Sequence, residues 1–223
     1  MNLDRLSRSL DYEFRDPTLL QAALTHRSAG GRNNERLEFL GDAVLGFAIA
    51  QWLYEKFPQA REGELSRLRA SLVKRDSLAE IARDLELGQY LKLGSGELKS
   101  GGHRRESILA DAMEAIFGAI LLDSDFDRCR DCIHRLFASR LEDMPSAAQL
   151  KDPKTRLQEY LQARKLELPA YEILEVSGRA HNQRFVVECR VAGLEQSSQG
   201  QGSSRRRAEQ EAARAMLGQL EAE

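Results

Sequence analysis

At 223 residues, the chain has room for one large domain or two modest domains with separate cores. Its 42% hydrophobic and 30% charged residues exclude wholesale disorder, and no apolar run approaches the roughly 18 residues of a membrane span. The charged segment 1–17 excludes a signal peptide, and the net charge of −2 predicts nothing about a nucleic-acid partner. Three cysteines provide no disulfide framework, so we expect a cytoplasmic protein without a membrane partner.

Helical periodicity dominates the first two thirds of the chain. Apolar residues recur at intervals of three and four, as in Leu65, Leu68 and Leu72, which predicts an all-α helical domain over residues 1–142. The small, polar stretch 143–151 contains a proline and is predicted to be a linker.

Two predicted helices carry acids on otherwise apolar surfaces. The first spans residues 34–54, with Asn34 as its expected cap, and it is apolar almost all round, which is typical of a buried helix. Its acids Glu35, Glu38 and Asp42 fall within one arc of roughly 60°. Gly41 interrupts this helix, and a helical glycine usually marks the close approach of a backbone or a ligand.

The second such helix spans residues 107–122 and carries Asp111 and Glu114 on one face. Buried, unpaired carboxylates are costly, and facing acids in a helical bundle provide the oxygen ligands that Mg²⁺ or Mn²⁺ requires. The alternative is that nearby arginines neutralise these acids. Spacing alone does not decide between a metal site and ion pairs. The candidate partners are Arg36, Arg67, Arg69, Arg104 and Arg105.

Cys129, Cys132 and His134 form an isolated group in a helical stretch. A zinc site normally requires a second pair of ligands, which this sequence does not supply nearby, so two thiols on a helix are the better interpretation.

The pattern changes after residue 151. Asp152 is a good N-cap and Pro153 suits a first helical position, so a helix is predicted to run to about Lys165. Residues 171–177 and 184–191 are strand-like, residues 193–195 open a predicted third strand, and 200–204 form a predicted loop before a helix over 205–220. This order predicts a small α+β domain, α-β-β-β-α, over residues 152–221.

Several ungapped stretches resemble the ribonuclease III family. Residues 34–42 (NERLEFLGD) match its nine-residue signature, and residues 24–28 (LTHRS), 97–102 (ELKSGG) and 105–111 (RESILAD) match further stretches in the same order. The resemblance covers essentially the whole chain. It implies an N-terminal catalytic domain followed by a double-stranded-RNA-binding domain.

The resemblance implies a metal-dependent endoribonuclease that hydrolyses phosphodiester bonds in double-stranded RNA. Its metal ligands would be Glu38, Asp42, Asp111 and Glu114, and its catalytic residues Asp42 and Glu114, with contributions from Glu35 and Glu62. Mg²⁺, or Mn²⁺ in its place, would activate a water and stabilise charge on the phosphate and the leaving 3′ oxygen. The products would carry 5′-phosphate and 3′-hydroxyl ends with short 3′ overhangs. The expected substrates are ribosomal RNA precursors and some mRNAs and tRNAs.

The family also implies a homodimer, with Phe39 at the dimer interface; periodicity alone leaves a core aromatic as the alternative. The C-terminal domain would contact RNA through the first helix, the loop between the first two strands and the start of the last helix. It would prefer RNA over DNA because it recognises A-form shape and 2′-hydroxyls. The residues implied are Thr155, Gln158, Glu159, His181, Asn182, Ser204, Arg205, Arg206 and Arg207. Glu209 departs from the pattern, since many such domains carry a basic residue there.

Three alternatives compete with the endoribonuclease. A catalytically inactive double-stranded-RNA-binding protein would typically lose one of the four ligand acids. A phosphohydrolase of small nucleotides usually relies on His–Asp metal pairs, and none of the four histidines is paired with these acids in sequence. A helical scaffold held by ion pairs would require no metal. His103, in the stretch before the second acidic helix, is predicted not to touch the substrate.

Overall fold

The computed structural model describes residues 3–144, 151–179, 183–194 and 196–221. The chain divides into two compact units, Met1–Ala147 and Ala148–Glu223. The predicted linker 143–151 lies largely outside the described residues, and its boundaries stay a prediction.

The first unit is all-α in its described part, as predicted. Three short 3₁₀ turns, at Arg27–Ala29, Leu87–Tyr90 and Gly102–Arg104, connect some of its helices. The helices are α1 (Asp4–Leu10), α2 (Pro17–Ala23), α3 (Glu35–Lys56), α4 (Glu62–Leu72), α5 (Arg75–Asp84), α6 (Ser95–Lys99), α7 (Glu106–Asp123) and α8 (Phe126–Glu142).

Helices α3 and α7 touch backbone to backbone at the centre of this unit. A Cβ atom added to Gly41 on α3 would lie 1.7 Å from the Glu114 carbonyl oxygen on α7. A Cβ added to Gly118 on α7 would lie 2.2 Å from the Leu37 carbonyl oxygen. The close approach predicted at Gly41 is therefore confirmed, and the approaching group is the backbone of the second acidic helix.

Helix α3 differs from its prediction in two ways. Its inner residues Leu45 and Ile49 are fully buried, but Phe39 is 81% exposed and Tyr54 is 72% exposed, so the helix is not buried all round within one chain. The Asn34 side chain makes no capping bond; the Asn33 Oδ1 atom accepts the Glu35 amide at 3.1 Å instead. Asn34 is buried, and its backbone amide donates to the Thr25 carbonyl at 2.9 Å.

The second unit has the predicted α-β-β-β-α order. The Asp152 side chain caps the first helix by accepting the Lys154 amide at 2.9 Å, as expected. The strands form one antiparallel sheet in the order β1-β2-β3, and the two helices bury Leu157, Leu161 and Met216 against it. The elements are α9 (Pro153–Ala163), β1 (Pro169–Ser177), β2 (Arg184–Val191), β3 (Ser197–Gly202) and α10 (Arg205–Glu221).

The third strand begins later in the chain than the sequence predicts. It begins at Ser197 rather than in residues 193–195, because Gly193 turns the chain with a φ of +84°. Gly200 and Gly202, predicted to lie in a loop, belong to the strand. A Cβ on Gly200 would lie 2.1 Å from the Ala212 amide nitrogen, so glycine here permits contact with α10 and does not mark a turn.

Within the described residues, no helix is long and apolar enough to cross a membrane.

Candidate metal centre and nucleic-acid interface

Four acids predicted to act together lie on the two central helices. Glu38 and Asp42 are one turn apart on α3, and Asp111 and Glu114 are one turn apart on α7. Carboxylate oxygens of Glu38, Asp111 and Glu114 lie within 4.8 Å of one another. We call Glu38, Asp42, Asp111 and Glu114 the acid cluster.

Three carboxyl groups of the acid cluster have raised pKa values. Burial, followed by the negative charge of Asp42, raises the pKa of Glu114 to about 8. Burial and the charge of Asp111 raise the pKa of Glu38. Burial also raises the pKa of Asp111, although the positive charge of Arg75 opposes that shift. The cluster therefore has more negative charge than its protein surroundings neutralise.

Arginines do not resolve this excess. Among the described residues, no arginine, lysine or histidine nitrogen lies within 4.0 Å of an acid-cluster oxygen. Arg105, one of the candidate partners, pairs with Glu97 at 2.8 Å. The ion-pair explanation of the acids is therefore not supported.

A hard divalent cation fits the acid cluster well. Its donors are carboxylate oxygens only, which is the ligand chemistry of Mg²⁺ and Mn²⁺. No other group of three His, Cys, Asp or Glu side chains in the described chain converges in this way. A metal would also offset the charge that raises the pKa of Glu114.

A cavity of about 570 Å³ adjoins the acid cluster. Its walls include the acids Glu35, Glu38 and Asp111 and the basic side chains His26, Arg27 and Arg105. Sequence reasoning assigned no role to His26 or Arg27. The available signal was the matched stretch 24–28, which precedes the first acidic helix.

The two additional acids occupy different places. Glu35 lines the cavity beside the acid cluster and lies 3.7 Å from an Arg27 guanidinium nitrogen. Glu62 lies on the first turn of α4, where its carboxylate accepts the Ser66 hydroxyl at 2.7 Å. It lines a separate cavity with Phe47 and Tyr54, so one chain does not bring Glu62 to the acid cluster.

Exposed apolar side chains accompany the acids on α3. Phe39 is 81% exposed, and Phe47 and Tyr54 further along the same helix are 59% and 72% exposed. Leu122, near the end of α7, lines a cavity together with Phe39. Such a surface is unusual for the outside of a single chain and is typical of an interface.

The described RNA-contact candidates lie on exposed surfaces of the second unit. Thr155, Gln158 and Glu159 are exposed on α9, and Glu159 forms an ion pair with Lys151. Ser204 precedes α10, and its hydroxyl accepts the Arg207 amide at 3.3 Å. The three arginines 205–207 are exposed on the first turn of α10, where the helix dipole also favours an anion. His181 and Asn182 lie outside the described residues.

Glu209 has a structural partner on each side. Its buried carboxylate accepts bonds from Lys154 at 2.5 Å and from Arg205 at 2.8 Å. Burial alone would raise the pKa of Glu209, but these two cations lower it. Glu209 thus connects the starts of α9 and α10.

The cysteine pair has packing roles in the helical unit. The buried Cys129 and Cys132 thiols donate to the carbonyls of Phe117 and Leu10 at 3.3 and 3.4 Å. Burial raises the pKa of the Cys129 thiol to about 12, and His134 stacks on Trp52 instead of facing the thiols. These contacts support the interpretation of two thiols on a helix.

Known protein families match both units of the chain. The Ribonuclease-III-like family profile matches residues 16–141, and the Double-stranded RNA binding motif profile matches residues 153–220. The protein named Ribonuclease 3 from Hahella chejuensis is 60% identical over 215 residues, covering 96% of this chain and 95% of the relative. Ribonuclease 3 from Vibrio parahaemolyticus is 56% identical, covering 98% and 97%.

A solved structure shows a similar fold. The nuclease domain of ribonuclease III from Campylobacter jejuni, a structure reported for flexibility in a region involved in dimer formation, superposes with a TM-score of 0.62. It is 46% identical and covers 63% of this chain and 99% of its own.

Proposed function

We propose that the acid cluster holds the divalent ions with which this chain, a member of the ribonuclease III family, cuts double-stranded RNA. Membership of that family makes the chain a double-stranded-RNA endoribonuclease, as the resemblance implied. The observation that carries the metal site is the convergence of Glu38, Asp111 and Glu114 oxygens within 4.8 Å without a neutralising cation.

All four acids would serve as metal ligands between α3 and α7. Glu38, Asp111 and Glu114 are partly buried there, and Asp42 is exposed. Asp42 and Glu114 are also the proposed catalytic residues, because they occupy the positions to which the family resemblance assigns that role. Bound Mg²⁺, or Mn²⁺, supplies a polarised water and stabilises negative charge on the phosphate. The proposed products carry 5′-phosphate and 3′-hydroxyl ends.

The second unit would bring the substrate to this site. Thr155, Gln158 and Glu159 on α9 would contact a minor groove, and the Ser204–Arg207 segment would contact phosphates. His181 and Asn182 remain predicted contacts. Recognition of A-form shape and 2′-hydroxyls would favour RNA and exclude DNA as a substrate.

We also propose a homodimer that covers the exposed apolar surface of α3. Burying Phe39, Phe47 and Tyr54 against a second copy would remove a large apolar patch from water. Glu62 lines a cavity with two of these aromatic residues, so any contribution of Glu62 to cleavage would come from the second copy. Two sites in a dimer would cut opposite strands and leave short 3′ overhangs.

The proposed cellular role is the processing of ribosomal RNA precursors and some mRNAs and tRNAs in the cytoplasm. The free thiols of Cys129, Cys132 and Cys189 are consistent with a reducing compartment.

The decisive test uses a long, perfectly paired RNA with and without Mg²⁺, beside an Asp42→Asn variant. Denaturing gels would resolve the products, with single-stranded RNA and double-stranded DNA as controls. We expect Mg²⁺-dependent cutting of paired RNA only, lost in Asp42→Asn. Tight binding without cutting under Mg²⁺ or Mn²⁺ would favour the inactive RNA-binding protein instead.

A further inference from the structure

His26 is the one imidazole on the wall of the cavity beside the acid cluster, within the described chain. It is half-buried and lies between α2 and the turn Arg27–Ala29. Its backbone amide donates to the Lys92 carbonyl at 3.0 Å, and the Lys92 amide donates to the Leu24 carbonyl at 2.8 Å. The main chain therefore holds His26 firmly at this wall.

A hydrogen-bond relay determines which ring nitrogen of His26 carries the proton. The Gly94 amide donates to the Ser28 hydroxyl oxygen at 2.9 Å, so the Ser28 hydroxyl hydrogen is free to donate elsewhere. That oxygen lies 2.8 Å from His26 Nδ1, and the Ser28 amide also donates to Nδ1 at 3.2 Å. Two donors on Nδ1 make it the acceptor, so the neutral ring carries its hydrogen on Nε2.

The relay depends on a close main-chain contact. A Cβ atom on Gly94 would lie 2.2 Å from the Ser28 carbonyl oxygen, so a larger residue would displace the amide that supports Ser28. The chain before α6 is thus positioned for this bond and for the tautomer that it supports.

We propose that the His26 Nε2–H group donates a hydrogen bond to a phosphate oxygen of the RNA strand held at the acid cluster. This inference rests on the proposed function and adds an RNA-contacting residue to it. A protonated Nε2 has no lone pair for a metal, which excludes the neutral ring as a metal ligand through that nitrogen.

The wall that carries His26 also carries cations that attract a phosphate. Arg27 lies 3.7 Å from Glu35, and Arg105 pairs with Glu97 at 2.8 Å. The arginines bring positive charge to the cavity, whereas the imidazole contributes a donor whose identity is set by the relay. His26 therefore adds a directed hydrogen bond to an electrostatic attraction that the arginines already supply.

Substitutions at His26 separate the two ring nitrogens. Gln can place an amide N–H near the position of Nε2, whereas the shorter Asn replaces only the Nδ1 side of the ring. We expect His26→Ala and His26→Asn to lower the single-turnover cleavage rate of paired RNA on the order of 10- to 100-fold, the effect of one hydrogen bond to a charged group. His26→Gln should recover most of the rate. Ser28→Ala should slow the wild-type enzyme but add little to His26→Ala, because both act through one contact.

Mn²⁺ binding, measured by calorimetry on the full chain, provides the second readout. We expect wild-type affinity in the three His26 variants and lost affinity in Glu114→Gln, with His103→Ala as a matched histidine control that cleaves normally. Equal rates for His26→Gln and His26→Asn, or wild-type cleavage by His26→Ala, would overturn the proposal while leaving the metal site intact. Weakened Mn²⁺ binding in His26→Ala would also overturn it, by making His26 part of the metal centre. Failure of the wild-type protein to cleave would instead refute the proposed function.

Discussion

Replacing Gly41 with alanine should disturb the acid cluster without altering any acid. The added Cβ would lie 1.7 Å from the Glu114 carbonyl oxygen and 2.4 Å from its carbonyl carbon. Ordinary van der Waals contact begins near 3.4 Å, so α3 and α7 must separate by roughly 1.7 Å at this point. Backbone atoms of two packed helices cannot rotate away as a flexible side chain would.

The expected energetic cost follows from two opposing effects. Alanine improves helix propensity by about 1 kcal/mol, whereas overpacking of this kind costs about 1–3 kcal/mol or more. Because the clash involves main chain on both sides, we expect the upper end, a net loss of about 2 kcal/mol. For a helical unit of this size, that loss corresponds to a fall of roughly 4–8 °C in Tm.

The functional cost should exceed the loss of stability. Glu38 and Asp42 are carried on α3 and Asp111 and Glu114 on α7, so separating the helices stretches the metal site. A misplacement of about 1 Å can cost roughly 100-fold in rate, and Mg²⁺ tolerates little variation in its short bonds to oxygen. Cleavage by Gly41→Ala should therefore fall about 100-fold at a temperature where the variant is folded.

Calorimetry, cleavage of paired RNA and Mn²⁺ titration together test this reasoning. Gly218→Ala in α10 is the control, because a Cβ there meets nothing within 4 Å and should leave cleavage unchanged. Wild-type Tm and cleavage in Gly41→Ala would refute the backbone contact. A lowered Tm with wild-type cleavage and Mn²⁺ affinity would show that helix separation does not set the spacing of the acids.

Three further changes test other parts of the structure. The Glu114 pKa of about 8 lies above its usual 4.5, so between these pH values the folded chain holds a proton that the unfolded chain has lost. Without metal, the free energy of unfolding should therefore fall as the pH rises from 4.5 to about 8. Glu114→Gln should remove that fall in urea titrations at pH 6 and pH 9, and an unchanged pH dependence would contradict the charge excess. Glu209→Lys breaks a buried ion pair and should destabilise the second unit by about 3 kcal/mol in thermal unfolding. Wild-type stability of this variant would show that the pairs with Lys154 and Arg205 do not stabilise the unit. Arg206→Ala should weaken the binding of all paired RNAs alike and reduce, by about 1, the slope of log binding constant against log salt concentration. A loss of affinity that depends on the RNA sequence would indicate that Arg206 contacts bases instead.

Much of the helical unit was predictable because periodicity reports which side of a helix is buried. The acids of the cluster were equally visible, since charged residues in an apolar helix conflict with burial. Spacing could not decide between a metal and arginines, because long arginine side chains reach many positions; only the structure shows that Arg105 turns to Glu97. The family resemblance, rather than the pattern, supplied the assignment of function.

What the sequence left open also has physical causes. Periodicity left Phe39 open between a core position and the dimer interface that the resemblance implied, because it does not distinguish the inside of one chain from a contact with another; the structure places Phe39 on the surface. The sequence identified Glu209 only as a departure from the family pattern, because its burial between Lys154 and Arg205 depends on two helices that meet only after folding. The relay from Gly94 to His26 joins distant parts of the chain, which local pattern analysis cannot bring together.

Two positions in strand β3 require glycine because there is no space for a side chain. Gly200 and Gly202 lie under α10, where a Cβ would meet main-chain nitrogens at 2.1 and 2.7 Å, whereas Gln199 and Gln201, which alternate with them along the strand, are exposed. Over evolutionary time, the outer positions can exchange freely while the inner positions stay fixed. Homologous domains should therefore differ in sequence mainly on the exposed face of this strand. A conserved glycine on the inner face would indicate that a helix packs directly against it.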